Sequence, residues 1–155
     1  MLKNLQKRQE GFTIIEVMIV LAIAGLIILI VFLAVPALQR NSRNTQARNE
    51  ASNILGAVSE FASNKNGQNP TASSSATAGS DAETVYKSAN VKNITALTVE
   101  AASGTTAPTA TLSVLRLTSK CNAAGTGTTA GAGRQVALLY QIENNSGTIT
   151  TCTDS

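Results

Sequence analysis

Hydrophobic residues are distributed very unevenly along this chain. Residues 17–38 contain no charged side chain, whereas most of the sequence that follows consists of Ala, Ser, Thr, Gly and Asn. In a helix with a rise of about 1.5 Å per residue, a stretch of this length extends roughly 33 Å, which is close to the hydrocarbon thickness of a bilayer, about 30 Å. The pattern therefore permits one membrane-spanning helix near the N-terminus.

The apolar stretch is followed by an amphipathic one. Between residues 47 and 62, apolar side chains recur at three- and four-residue intervals, with polar and charged side chains between them. This is the pattern of a helix that buries one face. We expect a single helix from about Thr13 to Ser63, apolar on every side in its first half. The alternative is two helices separated at Pro36, because proline removes a backbone hydrogen bond and kinks a helix.

The C-terminal part of the chain has hydrophobic residues at a period close to two, which indicates strands. The strand-like runs are residues 91–100, 111–118 and 136–142. Asn144 to Gly147 has the composition of a hairpin turn and leads into a further run at residues 148–153. We expect three or four antiparallel strands that cover the amphipathic half of the helix. A long helix followed by such a sheet predicts an α+β fold.

Two segments have the composition of loops. Residues 71–80 consist of Ser, Thr, Ala and Gly, which favours a flexible linker. Residues 123–133 consist only of Ala, Gly and Thr, which favours a mobile surface loop. After the first of these segments, Ser80 and Glu83 have the spacing of a capping box, so a short helix through Tyr86 is expected.

The composition excludes several kinds of catalytic and metal site. The chain has no His, so it lacks Ser-His-Asp and Cys-His catalytic groups and histidine-ligated metals. Two cysteines are too few for a structural zinc site, and no glycine-rich phosphate-binding motif is present. The chain has 12 basic and 9 acidic residues, of which Lys3, Lys7, Arg8 and Glu10 lie in the first ten positions. The rest of the chain therefore has nine basic and eight acidic residues and is nearly neutral. We therefore expect no cofactor, no metal, no enzymatic activity and no nucleic-acid partner.

Glu16 is an unusual residue for the start of an apolar stretch. An ionised carboxylate costs about 2.5–3.5 kcal/mol at the centre of a bilayer and less near its surface. Glu16 either lies at the membrane boundary, where it reaches headgroups or water, or pairs with a positive group inside the membrane or an assembly. Basic residues flank the stretch on both sides, so the positive-inside rule leaves its orientation open.

A secretory signal peptide is a further interpretation of the N-terminal region. The apolar part of such a peptide is usually about 7–15 residues long, which is shorter than the stretch found here. Val35 to Ala37 would nevertheless serve as a small-residue cleavage site.

The segment from Gly11 to Val20 has the sequence GFTIIEVMIV. This segment and its surroundings resemble the class III signal of type IV prepilins. The resemblance rests on four features together: a short basic leader that ends in Gly, the Phe that follows it, a Glu as the fifth residue after the Gly, and a long apolar stretch. The N-terminus is similar to that of type IVa pilins. The resemblance covers residues 1 to about 45. It implies cleavage between Gly11 and Phe12 by a membrane prepilin peptidase, N-methylation of Phe12, and an orientation with the N-terminus inside.

Cleavage at this position would create a positive α-amino group on Phe12. We hypothesise that Glu16 of a neighbouring subunit neutralises this group in a dry filament core, because a pair offsets the desolvation that either charge alone would suffer. The pair would then set the register between subunits. We also expect a kink or local melting of the helix between Gly25 and Pro36.

The pilin resemblance also implies how the chain is organised. The expected segments are a leader peptide at 1–11, a hydrophobic transmembrane or filament-core helix at 12–38, its amphipathic continuation at 39–63, and a globular head with an antiparallel sheet at 64–155. The resemblance supports a disulfide between Cys121 and Cys152, which export would place outside the membrane, where disulfides persist. Two free thiols are the alternative.

The function that the resemblance implies is that of a structural subunit of a type IV pilus. The precursor would span the cytoplasmic membrane once and then enter an extracellular helical homopolymer, with the help of prepilin peptidase and the pilus assembly machinery. The filament would serve adhesion, twitching motility or DNA uptake, with a surface or host-cell receptor as a further candidate partner. The alternatives are a pseudopilin of a type II secretion system, a minor pilin, a secreted binding protein that has lost a signal peptide, and a membrane-anchored receptor.

Overall fold

A computed structural model describes residues 11–155 of the chain. The predicted leader peptide at 1–11 therefore lies outside the described residues, apart from Gly11. The chain forms two compact units, which divide between Gln39 and Arg40.

Helix α1, Ile14–Asn64, begins in the first unit and ends in the second. The prediction of one helix over residues 13–63 is confirmed, since Pro36 lies inside an uninterrupted α-helix. All residues between Gly25 and Pro36 are helical, so the segment is not melted in this structure, and the kink remains a prediction. In the first unit, every large apolar side chain from Phe12 to Leu33 is at least 49% exposed.

The second unit contains, besides the end of α1, a short helix and seven strands. In chain order they are β1 Ser73–Ser74, α2 Asp81–Ala89, β2 Ala96–Glu100, β3 Leu112–Leu117, β4 Ser119–Cys121, β5 Thr128–Ala130, β6 Val136–Asn144 and β7 Gly147–Asp154. Five of the strands form one sheet in the spatial order β1-β2-β3-β6-β7, and β4 pairs with β5 in a separate ribbon.

The predicted α+β class is confirmed, with two differences in the main sheet. The sheet has five strands rather than three or four, because the two-residue strand β1 is too short to give a periodic pattern. Strand β2 runs parallel to β3, with Ala96 opposite Leu112, whereas the sequence predicts only antiparallel pairs. Alternating hydrophobicity specifies which face of a strand is buried but not the direction of the neighbouring strand.

Both predicted loop segments contain strand residues. Strand β1 lies within residues 71–80 and pairs with β2, and β5 lies within residues 123–133 and pairs with β4. Short polar side chains support both segments: the Ser75 hydroxyl accepts from the Leu97 N–H at 2.8 Å, and the Asn122 side chain accepts from the Thr126 N–H at 3.0 Å. Composition alone does not reveal such contacts.

The predicted capping box is present at the start of α2. Ser80 is the N-cap and its hydroxyl accepts from the Glu83 N–H at 3.1 Å. The Glu83 carboxylate accepts from the N–H of Gly79 at 2.6 Å, one residue before the position that a standard capping box uses. The helix extends beyond Tyr86 to Ala89.

The amphipathic half of α1 packs against the sheet, as predicted. Ile54 on the helix and Leu97, Leu115 and Leu138 on three strands are fully buried and belong to one hydrophobic core. Burial of one helical face against a sheet supplies the partner that an amphipathic helix requires. The second unit therefore has a core of its own, whereas the described part of the first unit has none.

Candidate functional site

The predicted assembly residue Glu16 caps the first turn of α1. Its Oε2 accepts hydrogen bonds from the Thr13 backbone N–H at 2.8 Å and from the Thr13 hydroxyl at 2.7 Å. The Glu16 N–H donates back to the Thr13 hydroxyl at 3.4 Å. This reciprocal arrangement is a capping box, which satisfies backbone groups left without partners in the first turn of a helix. The T-x-x-E spacing of Thr13 and Glu16 is a sequence signal for this capping box, whereas the hydrophobic pattern gives no sign of it.

The cap leaves half of the Glu16 carboxylate available. Both Thr13 hydrogen bonds fall on Oε2, and Oε1 accepts none from residues 11–155. Glu16 is exposed, as are its neighbours on the helix. The carboxylate can therefore bind a cation from another molecule while it continues to cap its own helix.

The residues on either side of the predicted cleavage position are also accessible. Phe12 is 89% exposed, and a Cβ atom added to Gly11 would meet no atom within 4 Å. A Cβ atom added to Gly25 would likewise meet open space. The single chain thus imposes no steric requirement for glycine at either position, so any such requirement must come from another molecule or from backbone freedom.

Polar contacts that the sequence pattern does not reveal join α1 to the β6–β7 hairpin. The hairpin turns as predicted, with Asn144 opposite Gly147. The Arg43 guanidinium donates to both oxygens of the Glu143 carboxylate, at 2.8 and 2.7 Å. The Asn44 side chain donates to the Glu143 carbonyl and accepts from the Glu143 N–H, both at 2.7 Å. Glu143 is therefore held through its side chain and its backbone, which fastens the end of β6 to the helix.

The ion pair shifts the titration of both partners. Hydrogen bonds from Arg43 hold the pKa of Glu143 below its ordinary value, and the same bonds raise the pKa of Arg43. The two side chains are 35% and 52% exposed, so water and salt screen their attraction. The pair thus contributes mainly to the position of the hairpin.

Glu50 is an acid of α1 that is buried against the second unit, at 8% exposure. Its carboxylate accepts hydrogen bonds from the backbone N–H groups of Lys92, Asn93 and Ile94 at 2.9–3.1 Å. Successive N–H groups directed at one anion form a nest that compensates for its desolvation. These contacts fix the segment before β2 on the helix. They join residues 42 to 44 positions apart in the chain, which is beyond the range of any spacing argument.

The two cysteines form a disulfide, Cys121–Cys152, with their Cα atoms 5.6 Å apart. The bond links the β4–β5 ribbon to β7, and two hydrogen bonds support it: the Cys121 N–H donates to Asp154 at 2.8 Å, and the Cys152 N–H donates to the Gly125 carbonyl at 2.8 Å. The pairing that the pilin resemblance implies is present. Because both thiols are oxidised, they are not available as metal ligands, and residues 11–155 contain no cluster of acidic or cysteine side chains that could hold a metal ion.

Comparison with known proteins identifies the N-terminal region. The model of the family described as the prokaryotic N-terminal methylation motif matches residues 6–32. No curated protein and no solved structure gives a significant match to the chain. Within residues 11–155, α1 is the one helix long and apolar enough to cross a membrane. The chain therefore carries the prokaryotic N-terminal methylation motif, the class III signal of type IV pilins, at the start of a long apolar helix.

Proposed function

We propose that this protein is a structural subunit of a type IV pilus, made as a membrane-anchored precursor and assembled through its N-terminal helix. The observation that carries the proposal is the methylation motif at residues 6–32. From Ile14 onward its residues belong to α1, and the large apolar side chains from Phe12 to Leu33 are all exposed. A soluble protein rarely exposes a continuous apolar surface of this extent. A bilayer, and afterwards the helices of neighbouring subunits, would cover it.

The motif supports a defined sequence of processing steps. Prepilin peptidase would cut the precursor between Gly11 and Phe12 on the cytoplasmic side, and the new α-amino group of Phe12 would be methylated. The leader at 1–11 would be lost. The apolar helix at 12–38 would hold the subunit in the cytoplasmic membrane, with its N-terminus inside, until the subunit enters an extracellular filament.

The remaining segments would then have structural roles. Residues 39–63 join the apolar helix to a globular head at 64–155, and Gly25 and Pro36 are the candidate sites of a kink. Head-to-tail contacts between identical chains that do not close into a ring generate a helical filament. The head would provide the outer surface for adhesion, twitching motility or DNA uptake and for a surface or host-cell receptor. The near balance of basic and acidic residues after Gly11 does not favour direct nucleic-acid binding.

Three observations favour a structural role over a catalytic one. The methylation motif belongs to a family of structural pilins rather than of enzymes. The chain also has no His, and the best-placed carboxylates of the second unit are bound in the hairpin contacts and the backbone nest. We therefore assign the protein a structural role, with energy for assembly supplied by partner ATPases.

Pseudopilins of type II secretion systems and minor pilins share the N-terminal motif. The disulfide between Cys121 and Cys152 favours a pilus subunit over a secretion pseudopilin. Shearing of intact cells separates these alternatives, since a pilus subunit is released in quantity with the filaments, whereas a pseudopilin stays in the cell envelope.

In the filament, Glu16 would bind the α-amino group of Phe12 on a neighbouring subunit. The free Oε1 of Glu16 supports this role, since the Thr13 cap uses Oε2. Pairing offsets the desolvation of both charges, whereas an unpaired charge in a dry core is strongly unfavourable. The contact would therefore both drive the docking of a new subunit and set its register.

Replacement of Glu16 tests this assignment. The Glu16→Ala variant should be processed normally but recovered in sheared filaments at least about tenfold less than the natural chain, because a lost charge partner of this kind is worth several kcal/mol. Glu60→Ala, which removes an exposed acid from the same helix, is the matched control and should assemble normally. Thr13→Val removes the cap but keeps the charge, and it should have the smaller effect. Normal filament yield from Glu16→Ala would contradict the assignment.

A further inference from the structure

The second unit contains a cavity of about 410 Å³ between α1 and the sheet. Its floor consists of buried side chains from α1, from the segment before β2, and from strands β3 and β6, namely Glu50, Ile94, Ser113, Tyr140 and Ile142. Exposed threonines at positions 109, 111 and 148 form part of its rim. The volume lies within the range of small-molecule sites, about 300–1,000 Å³. The cavity is lined entirely by residues after Arg40, so no residue of the predicted assembly helix at 12–38 contributes to it.

Ser113 gives the floor of the cavity an unused polar group. The residue is 1% exposed, and its hydroxyl has no hydrogen-bond partner among residues 11–155. Buried hydroxyl groups are nearly always paired, because an unpaired one destabilises the fold. Ser119 provides the comparison within the same chain: it is equally buried, but its hydroxyl donates to the Leu117 carbonyl at 3.0 Å. An external hydrogen-bond partner would explain why Ser113 is a serine.

The charges around the cavity do not select a charged ligand. Arg43 is paired with Glu143, and the Glu50 carboxylate is occupied by the backbone N–H groups of residues 92–94. Lys92 is an exposed residue of the rim, and its backbone N–H is one of the groups that bind the Glu50 carboxylate. A buried and unpaired ligand charge would be strongly unfavourable against such a floor. The ligand should therefore be neutral.

The other groups of the floor and rim specify an amphipathic ligand. The Tyr140 ring and the aliphatic side chains of Ile94 and Ile142 offer an apolar surface, while the Ser113 hydroxyl and the threonines of the rim offer donors and acceptors. A neutral sugar ring has an apolar face and several hydroxyl groups. We propose that this cavity binds a neutral monosaccharide, either free or as a unit of a glycan.

Nuclear magnetic resonance of the full chain tests the proposal. The protein is placed in micelles of a phosphocholine detergent, which has no sugar headgroup, and titrated with D-glucose, N-acetylglucosamine and D-glucuronate. Neutral sugars should shift the amide signals of residues 92–94, 111–113 and 140–142, with dissociation constants of about 1 mM, as expected for a ligand of this size. Glucuronate should bind no more tightly than glucose.

Two serine variants separate binding from folding. Ser113→Ala should weaken glucose binding about tenfold, because it removes one buried hydrogen bond, and its Tm should be unchanged or higher because the hydroxyl has no partner in the folded chain. Ser119→Ala should bind glucose like the natural chain and have a lower Tm. A merely structural role of Ser113 would lower the Tm without any effect on binding.

The outcomes that overturn the proposal are distinct. Absence of shifts at about 100 mM sugar, a hundred times the expected dissociation constant, would mean that the cavity holds only water. Equal binding by Ser113→Ala would place the sugar elsewhere, and preferential binding of glucuronate would contradict a neutral ligand. Glucose binding to purified filaments distinguishes the source of the sugar. Glucose should bind to the filaments if the natural ligand is external, and it should not bind if a sugar on a neighbouring copy already occupies the cavity. The filament experiment rests on the proposed function, whereas the titrations of the single chain and of its serine variants do not depend on the role of the N-terminal helix.

Discussion

At the scale of single residues, burial separates acids that look alike in the sequence. Glu50 and Glu60 both lie on α1, but Glu50 is buried and accepts backbone hydrogen bonds, whereas Glu60 is exposed. Two of the Glu50 partners, Lys92 and Asn93, are exposed and could be satisfied by water, while Ile94 is buried. The loss of Glu50 would therefore leave at least one buried N–H group without a partner.

We predict that Glu50→Ala lowers the free energy of unfolding by about 1–3 kcal/mol, which is the usual cost of an unsatisfied buried donor. The matched control Glu60→Ala should change it by less than about 0.5 kcal/mol, as is usual for surface substitutions. Urea unfolding of the detergent-solubilised chain, followed by near-ultraviolet circular dichroism of its tyrosines, measures both values. Equal effects in the two variants would show that the nest does not stabilise the fold.

The Arg43–Glu143 pair predicts a dependence of stability on pH. Because Arg43 lowers the pKa of Glu143 below 4.5 in the folded chain, the unfolded chain binds the proton more readily, and the contribution of the pair is complete at neutral pH. It should be lost as the pH falls below about 4.5 and through the lower, folded-state pKa of Glu143. The effect should be small, because both side chains are partly exposed.

The difference in unfolding free energy between the natural chain and Glu143→Gln measures this contribution. The natural chain should be the more stable at pH 7, and the difference should shrink between pH 5 and pH 3 and on addition of salt. A difference that stays constant over this pH range would exclude Glu143 as the titrating group.

At the scale of secondary-structure elements, the disulfide determines how the β4–β5 ribbon stays attached to the sheet. The ribbon pairs with no strand of the main sheet, and the Cys121–Cys152 bond closes the chain across a separation of 31 residues. Closing a loop of this length restricts the unfolded chain and contributes about 3–4 kcal/mol in the chain-entropy account.

We therefore predict that reduction of the disulfide, or a Cys121→Ser and Cys152→Ser double substitution, lowers the Tm of the second unit by roughly 10 °C. Thermal unfolding of the full chain with and without dithiothreitol measures the change, and the double variant should show no further response to the reductant. An unchanged Tm would mean that the ribbon is held by other contacts.

Periodicity explains which elements could be predicted and which could not. The amphipathic stripe at residues 47–62 is local in the sequence, and it gave the helix and its buried face correctly. The hairpin at Asn144 to Gly147 was predictable for the same reason. The parallel pairing of β2 with β3 and the contacts of Glu50 depend on residues distant in the chain, and neither periodicity nor short motifs contain that information.

The candidate site was predictable only in part. Gly11, Phe12 and Glu16 follow from a motif of adjacent residues, so the sequence is sufficient to propose them. The Thr13 cap is equally local, because Thr13 and Glu16 are three residues apart, but hydrophobic spacing does not indicate it. The cavity floor combines residues from α1, the segment before β2, and strands β3 and β6, so only the folded chain brings them together.

At the scale of the whole molecule, the chain has one unit with a core and one whose described residues have none. Residues after Arg40 bury their apolar side chains among themselves, whereas the large apolar side chains from Phe12 to Leu33 remain exposed. Such a division favours an apolar environment for the first unit, and the proposed function supplies one, first in a bilayer and then in a filament. We therefore propose that the protein is processed after Gly11 and assembled through this helix.

The most direct test is the intact mass and N-terminal sequence of the protein isolated from the cell surface. A processed pilus subunit should begin at Phe12, heavier by one methyl group and lighter by the two hydrogens lost at the cysteines. A chain that begins at Leu38 would identify an ordinary secreted protein, and a chain that begins at Met1 would identify a permanent membrane anchor. Either of these results would contradict the assignment of the protein as a pilus subunit.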